Sequence, residues 1–173
     1  AQRPEPMPVR GKRGSVNPMF LRRAATAALA EGLGAGWAGS LTMGAGQFCT
    51  NPGVAVVVEG SDADTFVAAA KAGLEKVAGQ TMLTDGIASA YKEGVERMRS
   101  RNAVSSVLST ASEGPQADPY LFDTTGAPSL ADHSLDAAEL GPLRLVVRAR
   151  STNDLVSLAD SVAVELPSTL HMV

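Results

Sequence analysis

Strands and helices alternate along this chain, which predicts an α/β architecture: a largely parallel sheet flanked by helices. Three observations carry that expectation. Val54–Glu59 is an unbroken β-branched run, as expected of a strand buried on both faces. The segments after it repeat apolar residues at helical spacing, with Phe66, Ala70, Leu74 and Val77 in one stripe and Ile87, Tyr91, Val95 and Met98 in the next. Aromatics make up only 4% of the residues while Ala, Gly and Val abound, so the core should be closely packed from small side chains.

Taken in order, the start is extended or linker-like, because Pro4, Pro6 and Pro8 fall in a basic stretch over residues 1–14. The run VNPMF reads as a short strand. From Leu21 to Thr42 alanine and leucine predict a helix, interrupted by Gly32, Gly34, Gly36 and Gly39. Glycine weakens helices, so this one is expected to survive by laying its bare face tightly against a neighbour. Ser61-Asp62-Ala63-Asp64 resembles a capping box with Asp in the last place, and Thr84 is placed to cap the helix after it. Residues 103–110 and 120–123 read as strands separated by a Ser/Gly/Pro loop over 111–119. Residues 143–150 alternate Leu143, Leu145, Val147 against Arg144, Val146, Arg148, which predicts a half-exposed strand. A short helix over 154–162, capped near Ser151 or Thr152, and a last strand over 168–172 complete the series. No internal repeat is present. Residues 15–173 are therefore expected to form one domain behind the arm.

Composition limits the functional classes. The 173 residues can bury a sizeable core. No apolar run has membrane-spanning length, and residues 1–14 lack the apolar stretch of a secretory signal. The net charge of −3 divides unevenly: residues 1–23 carry +5 and the rest −8. A basic arm can meet nucleic acid, but no aromatic interleaves the first nineteen residues to stack on bases. A solvated arm paired with an acidic body is the expectation, and no nucleic-acid or membrane partner is expected. His133 and His171 are isolated, and no His/Cys/Asp/Glu spacing suggests a metal site. Glu93 and Glu96, beside Lys92 and Arg97, read as ordinary surface charge.

The one cysteine, Cys49, lies in SLTMGAGQFCTNPG, between the glycine-interrupted helix and the buried strand. Gly44, Gly46, Asn51, Pro52 and Gly53 surround it. A loop of this kind can hold a nucleophile and turn backbone N–H groups toward a reacting carbonyl. A small buried cysteine fits the same spacing, so both readings stand on the residues alone. Trp37 and Phe48 are candidates to line a pocket beside it, with core packing as the alternative. A single cysteine also excludes an internal disulfide framework.

MGAGQ and GQFCTNPG resemble the nucleophile segment of the NAD(P)-dependent aldehyde dehydrogenases. The longer run GSVNPMFL…GVAVVVEG, with MLTDGIASAYKEGVERM, GPLRLVVRA and STLH after it, is similar in order and spacing to the branch that oxidises 2-oxoglutarate semialdehyde. The resemblance covers nearly the whole chain. It implies the catalytic-domain fold of that family, without the Rossmann-type cofactor domain and short of the family's C-terminal segment. The GLGAG run at 32–36 lies inside a helical pattern and reads as helix packing, not as a phosphate loop. The resemblance further implies an aldehyde or semialdehyde substrate, NAD or NADP as the family's cofactor, a homo-oligomer and a cytoplasmic protein. Cys49 would be the nucleophile, its own backbone N–H an oxyanion donor, and Phe48 and Asn51 part of the substrate pocket.

The chain departs from the family pattern at several positions. Lys12 occupies the place of the general-base glutamate upstream of GSVNP. An ammonium of ordinary pKa, about 10.4, takes no proton from water at neutral pH. Ala138 replaces the glutamate that binds the cofactor ribose, and Leu140 replaces the phenylalanine beside the nicotinamide, while Glu139 falls one position late. Arg22-Arg23 stands where the family has apolar residues or proline, so that face should not be buried in the family's way. These departures imply that the chain by itself binds no cofactor and is inactive. The alternatives are thus a portion of a semialdehyde dehydrogenase or a catalytically inactive remnant or interaction module that keeps the fold.

Overall fold

The strand predicted at VNPMF forms as β1, Pro18–Leu21, all four residues buried. It belongs to a computed structural model that describes residues 17–110, 116–126, 141–161 and 168–172. The arm over 1–14, with Lys12 and Arg13, therefore lies outside the described residues, as do His133, Ala138, Glu139 and Leu140. After β1 come helix α1 (Arg23–Thr42), a 3-10 turn (Met43–Gly46), β2 (Val54–Val58) and α2 (Ser61–Leu74). Then follow β3 (Gln80–Thr81), α3 (Asp85–Arg99), β4 (Val104–Ser109), β5 (Gln116–Ala117) and β6 (Tyr120–Thr125). The last described elements are β7 (Leu143–Ala149), α4 (Thr152–Ser161) and β8 (Thr169–His171).

Six strands make one sheet in the order β4-β6-β7-β2-β1-β8. Every neighbouring pair is parallel except β4 with β6. Helices cover both faces, and the period-2 alternation of the strands decides which side chain meets which helix. Ala55 and Val57 of β2 pack with Leu41 of α1 and Phe66, Ala70 and Leu74 of α2. Val56 and Val58 pack on the other face with Tyr91, Val95 and Met98 of α3 and Leu155 and Leu158 of α4. This is why the run is apolar at every position: each fully buried valine contributes about 1.5–3 kcal/mol on whichever side it falls.

The two helices on the first face approach closely through glycine, though through fewer glycines than the sequence suggests. A Cβ on Gly34 would lie 2.4 Å from the Phe66 carbonyl oxygen, and one on Gly73 of α2 would lie 2.8 Å from the Ala38 Cβ. Gly32, Gly36 and Gly39 have nothing within 4 Å of that position, so they face open space. Trp37 stacks obliquely on Phe66, ring centroids 5.4 Å apart, and completes the contact.

Several sequence expectations need correction. No capping box forms at Ser61: the N-cap is Gly60, at φ 146°, and Ser61 is already helical. Asp64 is instead drawn to Arg148, 2.6 Å away. Val77 falls beyond the end of α2. The loop expected over 111–119 contains β5, which pairs antiparallel with β3 through Gln80–Ala117 and Thr81–Gln116. The strand read as half-exposed, β7, is interior. It lies between β6 and β2 with helices on both faces, so Arg144 and Val146 are as buried as Leu145 and Val147. Thr84 does cap α3, its Oγ1 accepting from the Ile87 N–H at 3.2 Å. Ser151 accepts from the Asp154 N–H at 3.1 Å and starts α4. Arg22 and Arg23 are exposed, as their charge requires.

Candidate functional site

The cysteine loop is built on three consecutive left-handed residues. Gly44, Ala45 and Gly46 have φ of 57°, 55° and 68°. They turn the chain after α1 and lead into the segment that carries Cys49. Glycine adopts this conformation without strain, whereas an L-residue such as Ala45 costs about 1–2 kcal/mol. Backbone closes Gly46 to a side chain, whereas at Gly44 only the exposed Phe48 ring stands close. A Cβ on Gly44 would come within 2.8 Å of the Phe48 ring, and one on Gly46 within 2.5 Å of the Gly141 carbonyl group. Cys49 follows in a turn and is exposed.

Two asparagines hold the loop down. Asn17, buried just before β1, donates its side-chain amide to the Cys49 carbonyl at 2.8 Å and to the Asn51 carbonyl at 3.0 Å. Asn51 donates its own to the Leu41 carbonyl, in the last turn of α1, at 3.1 Å. Within the loop the Asn51 N–H bonds Phe48 O and the Gly53 N–H bonds Asn51 O. Trp37 donates its indole N–H to Pro52 O at 2.8 Å from beneath. The carbonyls of Cys49, Asn51 and Pro52 are thus fixed by side chains from the residue before β1 and from α1.

The structure sorts the candidate residues. Cys49 and Phe48 lie together at the surface, Phe48 with 52% of its area exposed. Asn51 is half-buried, with its amide nitrogen turned into the protein. Trp37 is core, its indole bonded to the loop at Pro52. Gln47 reaches sideways, its Oε1 accepting from the Leu83 N–H at 2.9 Å. Lys12, Ala138 and Leu140 lie outside the described residues, so their placement relative to Cys49 does not enter the site.

Two residues that sequence reasoning missed complete it. Asn17 sat inside the family-like run GSVNP, but only the fold brings it across to Cys49. Arg144, read as solvent-facing, is 1% exposed and lies under the loop. Its Nη2 donates to the Leu41 carbonyl at 3.0 Å and its Nη1 to the Leu143 carbonyl. Burial lowers its pKa to about 9, with the neighbouring Tyr91 hydroxyl opposing that shift, so it remains a cation at neutral pH. Burial likewise raises the Tyr91 hydroxyl, opposed by the Arg144 charge. Tyr91 donates to the Asp118 carbonyl at 2.5 Å. Among the described residues no group of three His, Cys, Asp or Glu could hold a metal ion. No described helix is long and apolar enough to cross a membrane.

The chain shares the fold that carries this loop with solved structures. It covers 92% of itself and 35% of an NAD-dependent benzaldehyde dehydrogenase from Corynebacterium glutamicum, with a TM-score of 0.74 and 17% identity. It also aligns with an NADP-dependent glyceraldehyde-3-phosphate dehydrogenase from Bacillus halodurans, with a TM-score of 0.75 and 18% identity over 33% of that chain. At such identities the likeness establishes the fold. No family model matches the chain. The sequence itself is 34% identical over 172 residues to alpha-ketoglutaric semialdehyde dehydrogenase 2 of Azospirillum brasilense. The chain's similarity is thus to the aldehyde dehydrogenase superfamily. The alpha-ketoglutaric semialdehyde dehydrogenase of Acinetobacter baylyi is 27% identical over 97% of this chain. The chain spans about a third of the length of these curated relatives.

Proposed function

We propose that this chain is the thiol-bearing portion of an aldehyde dehydrogenase, with residues 15–173 as its catalytic-like unit and Cys49 as its nucleophile. The observation that carries the reading is the exposed Cys49, presented just after the left-handed turn at Gly44, Ala45 and Gly46, with its carbonyl anchored by Asn17. In the reaction the Cys49 sulfur bonds to the aldehyde carbon while the carbonyl π pair moves to oxygen. The backbone N–H of Cys49 stabilises that oxyanion, and the proton the thiol gave up to water on attack returns through solvent to complete the thiohemiacetal. Phe48 offers an apolar wall to the substrate's carbon chain. The substrate class, by kinship, is a semialdehyde. The lone cysteine suits a reducing compartment such as the cytoplasm. Self-association is expected if the exposed apolar side chains Met43, Phe48 and Leu83 are covered by a second copy.

The cofactor of the family, NAD or NADP, does not fit the residues present. A methyl group at Ala138 accepts no hydrogen bond from a ribose hydroxyl, and Leu140 presents no aromatic face to a nicotinamide. With Lys12 at the family's base position, these substitutions favour a second reading, in which the chain is an inactive relative that keeps the fold.

Reaction with p-nitrophenyl acetate separates the two readings, because attack needs only the thiol and its oxyanion donor. A reactive Cys49 displaces one equivalent of p-nitrophenolate and keeps the acetyl group as a thioester, which mass spectrometry locates. Cys49→Ser removes both. A wild-type thiol no faster than free cysteine at the same pH leaves the inactive-relative reading alone.

A further inference from the structure

The buried cation beneath the cysteine loop has no role in the chemistry above, yet besides Leu143 and Tyr91 its neighbours bracket that loop. Nη2 of Arg144 bonds the Leu41 carbonyl where α1 ends. A Cβ placed on Gly46 would lie 2.7 Å from that same nitrogen, and one on Gly53 would lie 3.8 Å from Nη1. Leu41, Gly46 and Gly53 are the root, the last left-handed residue and the exit of the segment that presents Cys49. Gly46 is also bonded from the other side, its carbonyl accepting from the Gly141 N–H at 3.2 Å. The Leu41 carbonyl receives a second donor, the Asn51 amide, so the guanidinium and the loop's own asparagine converge on one oxygen.

A guanidinium is costly to bury, and among the described residues no carboxylate offsets it here; its Nε has no hydrogen-bond partner. An apolar side chain would fill this interior position at less cost, so packing alone does not account for an arginine. Its planar fork can, by contrast, hold two carbonyls at fixed separation. We propose that Arg144 is the positioning residue of the Cys49 loop. Its fork ties the end of α1 to β7, and Gly46 lacks a side chain so that the fork can pass under the turn. The consequence for the thiol rests on Cys49 being the nucleophile; the clamp itself does not.

Hydrogen exchange across the loop tests the clamp without using the thiol. In Arg144→Met, which keeps similar length without charge or fork, the Asn51 and Gly53 amides should exchange about tenfold or more faster, while the Val56 and Val57 amides of β2 keep their protection. Arg144→Lys restores one donor and should fall between; if Arg144→Met does not fold, Arg144→Lys decides by the same comparison. Acylation of Cys49 by p-nitrophenyl acetate should slow in parallel with loop exchange. Loop amides that exchange as in the wild type, or β2 amides that accelerate by the same factor, overturn the proposal. So does a loosened loop with unchanged acylation. A wild-type Cys49 that does not acylate defeats the nucleophile reading instead, and exchange then decides for the clamp by itself.

Discussion

Replacing Gly34 and Gly36 by alanine, one at a time, applies the same chemical change two residues apart on α1 with opposite expected results. Either substitution removes the helix penalty of glycine, worth about 1 kcal/mol. At Gly36 nothing lies within 4 Å of the new methyl, so that gain should appear undiminished. At Gly34 the methyl would sit 2.4 Å from the Phe66 carbonyl oxygen, 3.0 Å from the Ala69 Cβ and 3.1 Å from the Ala70 nitrogen. Two of those three are backbone atoms of α2, and no side-chain rotation can clear them. The helices must separate, at a cost of about 1–3 kcal/mol for overpacking plus loosened contacts around Trp37 and Phe66. Net, Gly36→Ala should stabilise by about 0.5–1 kcal/mol, and Gly34→Ala should destabilise by about 1–2 kcal/mol. For a chain of this size that corresponds to about 2–4 °C in Tm per kcal/mol. Urea unfolding followed by far-UV circular dichroism reads the difference directly. Two variants that move in the same direction by the same amount would refute the close α1–α2 contact.

Two further outcomes follow from the site and from the ion cluster at the end of the sheet. Asn17→Ala removes both donors that hold the Cys49 and Asn51 carbonyls, and should slow acylation of Cys49 about tenfold, equivalent to about 1.4 kcal/mol; a rate within twofold of wild type would mean that the anchor is dispensable. Asp123 accepts from Arg148 Nε at 2.7 Å, yet burial raises its pKa and outweighs the lowering by that partner. The folded state therefore holds this proton more tightly than the unfolded state does. Stability should fall as pH rises from the ordinary carboxylate value of 3.8 through the raised one. Asp123→Asn should flatten that part of the stability–pH curve, as measured by urea midpoints between pH 3.5 and about pH 6, and an unchanged slope would count against it.

Much of this fold was legible before any tertiary contact was known, because the signals are local. The unbroken run of β2, the stripe of α3 and the Thr84 cap each depend on residues a few positions apart, and each formed where expected. The glycines around Cys49 announced a loop for the same reason, since left-handed backbone selects them wherever they lie. What the sequence could not determine were the outcomes set by neighbours distant in the chain. Arg144 and Arg148 give β7 the alternation of an exposed strand, but β6 and β2 flank it and helices cover both faces. Gly34 and Gly36 are equivalent to a helix and differ only because α2 crosses at one of them. Asn17 is an ordinary polar residue until β1 pairs with β2 and its amide comes within reach of the Cys49 carbonyl. Periodicity records which face a side chain takes, whereas burial, contact and reach depend on what the rest of the chain brings to that face.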